Sequence, residues 1–167
     1  MSDDQGKKHL EIYLRDHYAG AVGALELLEH LIKAHTDDSL GEFFRQLHDE
    51  IKADHEQLHN LMQALGFEES SLRNAGAWMA EKLSRAKLGL TVGDDAKLRL
   101  FQALETLLVG ITGKRLLWQA LMAVEDSSPI LQRTDLARLQ ARAIEQGERV
   151  EMQRLAAARA ALGIRPS

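Results

Sequence analysis

Along this chain apolar residues recur at alternating spacings of three and four, the period that places them on one face of an α-helix. In the first third the stripe is Leu10, Leu14, His17, Ala21, Ala24, Leu28 and Leu31. It predicts a helix over about residues 8–35, ended by the polar Thr36, Asp37 and Asp38. Ser39 is placed to cap a second helix over about 40–65, with Glu42 completing a capping box and Gly66 stopping the far end. A loop follows from Gly66 to Ser71, then a shorter helix over about 72–88 closed by Gly89. After the turn Thr91 to Asp95, Asp94 or Asp95 caps a third long helix reaching about residue 124. Ser127, Ser128 and Pro129 break the chain. Thr134 or Asp135 starts the last helix, which runs to Leu162 before Gly163 and Pro166.

Four helices of about 28 residues would each be about 42 Å long, the scale of a four-helix bundle in a single domain over residues 1–167. The first and second helices, and the third and fourth, are joined by short links and so predict antiparallel hairpins. The connection between the hairpins spans about 28 residues with a helix of its own, which favours a crossover along the bundle over plain up-down-up-down order. Composition agrees with an all-α chain, since 28 Leu and 22 Ala outnumber 5 Val, 7 Ile and 5 Thr.

Charge and composition then narrow the chemistry. The absence of cysteine excludes disulfides, thiolate zinc sites and a cysteine nucleophile, and fits a reducing, cytoplasmic setting. No signal-like apolar core opens the chain, and no stretch approaches the roughly 18 charge-free apolar residues of a membrane helix. A net charge of −4 without a basic run argues against nucleic acid as a partner. All seven histidines fall within the first 59 residues, and residues 1–60 carry 6 Lys or Arg against 13 Asp or Glu. There is no Gly-x-Ser-x-Gly elbow, and Gly110-Ile-Thr-Gly-Lys114 lacks both the first glycine and the preceding strand of a phosphate loop. No substrate or reaction is indicated.

The candidate chemistry lies where polar residues interrupt apolar seams. His17 sits within the stripe of the first helix. The second helix reads Leu40, Phe43, Leu47, Glu50, Asp54, Leu58, Leu61, Leu65, so two carboxylates occupy positions suited to leucine. With the hairpin loop centred near residue 37, His17 and Asp54 are offset by about three residues, roughly 4.5 Å along the axis. His17, Glu50 and Asp54 can therefore converge. One outcome is a single Fe, Mn or Zn ion held by the three side chains and water. The other is a buried hydrogen-bond network completed by a cation such as Lys114 or Arg154.

In the second hairpin the last helix presents Leu136, Gln140, Ala143, Gly147, Glu151, Arg154, Ala158 and Ala161, and Lys114 lies near the core side of the third helix. Arg154 is level with Glu105, which predicts an internal ion pair. Glu105, Lys114, Gln140, Glu151 and Arg154 are thus the expected polar network of this half. His48, His55 and His59 mark an outer edge of the second helix. Arg138, Arg142 and Arg149, interleaved with Glu145 and Glu148, read as the solvated outer face of the last. The third helix is apolar almost all round, which calls for a second covering surface: the 72–88 helix with Trp78, or another subunit in a homodimer.

Two long antiparallel helix pairs, a long connection, and carboxylate and histidine side chains directed inward together resemble the ferritin-like bundles. Metal-binding members of that superfamily take a glutamate from one helix and a Glu-x-x-His motif from its partner in each half, so the resemblance implies an iron-type metal centre in the core. This chain departs from the motif. Its literal Glu-x-x-His, Glu56 and His59, projects away from the apolar seam, and its second half contains no histidine. Whether such a bundle is an enzyme or a metal-free interaction module stays open at this level.

Overall fold

The computed structural model describes residues 3–67 and 95–163. Within them lie four long helices: α1 (Asp3–Ala34), α2 (Ser39–Ala64), α3 (Ala96–Met122) and, after a single 3-10 turn at Glu125–Ser127 and the short α4 (Pro129–Gln132), α5 (Leu136–Leu162). The described residues contain no strand, and no described helix is long and apolar enough to cross a membrane. The helix expected over 72–88, with Trp78, lies outside the described residues.

The helix boundaries follow the capping chemistry, with one shift at each of two starts. α1 begins about five residues earlier than its apolar stripe. Asp4 in the first turn favours a helix N-terminus, and it pairs with Lys8 at 3.0 Å one turn on. α2 is capped by Asp38 rather than Ser39: its Oδ1 accepts the Gly41 amide at 3.0 Å. Its Oδ2 meets His35 Nδ1 at 2.8 Å, and these contacts, His35 foremost, hold its carboxyl below the usual carboxylate range. α2 ends in a Schellman motif, with Phe67 N–H donating to Met62 and Gly66 N–H to Gln63. Gly66 there adopts φ +77°, a left-handed conformation suited to glycine. Asp95 caps α3 and Asp135 caps α5.

Two separate apolar clusters show how the helices run. At one end Leu14 of α1 meets Leu58, Leu61 and Met62 from the end of α2, Leu117, Trp118 and Leu121 from the end of α3, and Leu136 and Leu139 from the start of α5. At the other, Leu28 and Leu31 meet Phe44, Leu47 and Ile51, Leu104, Leu107 and Ile111, and Val150 and Ala157. Helices α1 and α2 are therefore antiparallel, as are α3 and α5. By the same comparison α2 and α3 run the same way, so α2 ends at the opposite end of the core from the start of α3. Within the bundle α1 also packs on α3.

The inner face of α2 is rotated slightly from the expected seam. Phe44 and Ile51 take fully buried positions, while Phe43 and Glu50 are half-buried. In α5 the buried line is Leu136, Leu139, Ala143, Gln146, Val150 and Ala157, not the line through Gln140, Gly147 and Glu151. The reason is local. Both alternatives share Leu136 and Ala143, and α5 buries Val150 and Leu139 in preference to the charged Glu151.

Gly41 and Gly20 mark opposite constraints. A Cβ on Gly41 would lie 1.8 Å from the His35 carbonyl oxygen, whereas one on Gly20 meets nothing within 4 Å. Chemical denaturation should show Gly41→Ala destabilising by at least about 1 kcal/mol and Gly20→Ala stabilising by up to about 1 kcal/mol, since alanine otherwise favours helix.

Candidate functional site

Between the two apolar clusters the core has a polar waist. Each helix contributes to it at the same level: α1 through His17 to Ala24, α2 through Asp54, α3 through Lys114 and α5 through Gln146. Asp54 and Gln146 are each only 1% exposed. Lys114 donates from Nζ to Asp54 Oδ2 at 2.6 Å and to Gln146 Oε1. Gln146 Nε2 donates to the same Asp54 oxygen at 3.2 Å. Arg142 brings Nη2 within 3.1 Å of Asp54 Oδ1 as an ion pair without hydrogen-bond alignment, and one face of this carboxylate is thus held by charge alone. Beside it Arg149 pairs with Glu50.

These contacts correct two expectations. Arg142 and Arg149 are not an outer solvated face of α5; both reach across to α2. The rotation of α5 that buries Gln146 and Val150 carries positions 142 and 149 to its α2 side. Glu50 does not converge with His17, because it is half-buried at the α2–α5 boundary and engaged by Arg149. Of the expected set, Lys114 does meet Asp54. Gln140 takes no part in the waist, where Gln146 stands instead. Glu105, Glu151 and Arg154 form a separate cluster, in which Arg154 donates to both Glu151 oxygens at 2.6 and 2.8 Å. It also lies 3.6 Å from Glu105 and 5.9 Å from the centre of the Phe101 ring. Glu105 is exposed, so this pair sits at the bundle's edge and not in its interior.

His17 is half-buried and packs edge-on to Tyr13 with ring centroids 4.7 Å apart. It shares with Asp54 and Lys114 the wall of a cavity of about 190 Å³ between α1, α2 and α3. The thin stretch of α1 makes this space: Gly20, Ala21 and Ala24 line it, facing Gly110 and Gly113 of α3. His55 lines the same cavity and stacks on Tyr18 at 4.2 Å, while His59 lies 5.9 Å from that ring. The expected outer histidine edge is therefore half-buried against α1. The apolar-period reading missed this because it assigned faces by one seam, whereas α2 has two helical neighbours.

Among the described residues no group of three His, Asp or Glu side chains is arranged to hold a metal ion. The comparisons with protein families, with curated proteins and with solved structures find no match to this chain.

Burial lowers the pKa of Lys114, opposed chiefly by the charge and hydrogen bond of Asp54. The carboxylate is correspondingly dependent on its cations, and removing either side leaves the other uncompensated in a poorly solvated place. Asp54→Leu should cost about 3 kcal/mol in chemical denaturation, and the double variant with Lys114→Met should recover most of it. An Asp54→Leu variant as stable as the parent would show that the waist fastens nothing.

Burial also lowers His17 below its ordinary value of 6.5, against the opposing charge of Asp16. His55 is lowered by burial and by His59, against Glu56. With folded pKa values below the unfolded ones, the unfolded chain binds more protons as pH falls through this range. This share of stability is present above about pH 6.5 and is lost on acidification. The thermal midpoint should fall from pH 7 to 5, and fall less in the His17→Leu/His55→Leu variant.

Proposed function

We propose that this chain is a ferritin-like bundle acting as a metal-free interaction module that forms a homodimer in the cytoplasm, with its polar waist specifying helix register. The observation that carries the reading is the engagement of Asp54 by Lys114, Arg142 and Gln146, which supplies the carboxylate with the partners a metal would otherwise provide. The direction of α2 and α3, each leading from the same end of the core, supports the ferritin-like arrangement.

Self-association is supported by aliphatic residues on the outward faces of the second hairpin. Val109 is 70% and Met152 69% exposed, and Leu116, Ile144, Leu155 and Leu162 are exposed as well. A second reading, one Fe, Mn or Zn ion on His17, Glu50 and Asp54, is favoured by a single feature: His17 and Asp54 border one cavity. It requires Lys114 and Arg149 to release the two carboxylates.

Light scattering and metal analysis of the purified chain distinguish these. A dimer mass, with a thermal midpoint unchanged by chelators or by added Fe, Mn or Zn, is the expected result. Near-stoichiometric metal that disappears in His17→Ala would establish the second reading, and a strict monomer at high concentration would remove the dimer.

A further inference from the structure

Two residues of the waist cavity's wall carry buried polar atoms that have no hydrogen-bond partner among the described residues. Trp118 is 1% exposed and lines the cavity, yet its indole Nε1 is buried without a hydrogen-bond partner among the described residues. His55, on the same wall, has Nε2 in the same condition. Lys114 has three N–H donors, of which Asp54 and Gln146 take two among the described residues. An unpaired buried donor is costly, and such groups in folded proteins are normally met by a protein group, an ordered water or a ligand.

The kind of group that would satisfy them is constrained. The indole N–H and the ammonium can only donate, so the missing partner is an acceptor. Lys114 is the cation on the cavity wall, which it shares with Asp54 and the solvent-exposed Asp16, while Arg142 and Arg149 engage Asp54 and Glu50 outside that wall. The remainder of the wall is small or aliphatic, including Ala21, Ala24, Ile51 and Leu58. A volume of about 190 Å³ is somewhat larger than the roughly 150 Å³ that admits benzene.

We propose that this cavity binds a small organic monocarboxylate with a compact apolar body. Its carboxylate accepts from Trp118 Nε1 and from the third Lys114 N–H, and its hydrocarbon part lies against the small residues of α1. Gly20 and Gly110, where an added Cβ would meet nothing within 4 Å, leave the entrance between α1 and α3 open.

Benzoate is a suitable probe, with benzyl alcohol as its uncharged counterpart and sodium chloride at matched ionic strength as the control. In ¹⁵N-labelled full-length protein, with the two indole signals assigned through Trp78→Phe, benzoate should shift the Trp118 indole N–H saturably at millimolar concentration. Chloride should not. Lys114→Met should weaken benzoate by about tenfold or more through loss of a charge-assisted hydrogen bond. Because that variant also disturbs Asp54, Gly20→Leu serves as a second: it fills the entrance, and should abolish the shift while leaving the thermal midpoint at or above that of the parent. An indole signal unmoved by benzoate overturns the proposal. So does benzyl alcohol binding as tightly as benzoate and equally well in Lys114→Met, which would make the cavity a plain apolar void.

Discussion

A carboxylate in the middle of a helical core is the constraint from which much of this structure follows. Removing Asp54 from water is unfavourable by several kcal/mol unless its charge is met inside the protein. It is met from two helices at once, by Lys114 of α3 and by Arg142 and Gln146 of α5. A leucine at the same position would tolerate small rotations of its neighbours. A carboxylate does not, because hydrogen bonds weaken steeply with distance and angle. Asp54 therefore ties the first hairpin to the second at one level and one rotation.

That level divides the core. The apolar clusters on either side each draw residues from all four long helices, and between them the part of α1 that lines the cavity offers no large side chain except His17. Thinness there and charge opposite are complementary: the space left by Gly20, Ala21 and Ala24 is the space into which the Lys114 and Asp54 side chains are not driven by packing. The result is a cavity whose wall carries both charged groups and an unpaired donor.

The histidines illustrate how the same residue type acquires different roles from its neighbours. His35 pairs with Asp38 at the hairpin turn, His55 and His59 pack against Tyr18, and His17 borders the cavity. Crowding of histidines in the first third of the sequence thus does not amount to one site. Five of them, His17, His35, His48, His55 and His59, are half-buried on the first hairpin, where an imidazole can present a flat apolar face while keeping a polar edge, and His9 and His30 are exposed.

Much of the helical architecture was legible along the chain. The three-four spacing, the caps at Asp95 and Asp135, the stop at Gly66 and the break at Ser127 to Pro129 are local signals, and local backbone chemistry decides them. So was the anomaly of Asp54 on an apolar seam, and its pairing with Lys114 among the alternatives. The remaining partners were not legible. Arg142 and Arg149 have the spacing of a solvated face, Gln146 lies off the line through Ala143 and Gly147, and Glu50 lies on the seam yet turns to α5. Each of these depends on the rotation of a helix about its axis, which a period of 3.6 residues leaves uncertain by tens of degrees and which neighbouring helices settle by packing. The sequence alone determined where the described helices begin and end, the start of α1 excepted, and that one buried charge needs a partner. Only the tertiary structure decided which partner, because that choice is made between side chains far apart in the chain and brought within 3.2 Å by the rotation of whole helices.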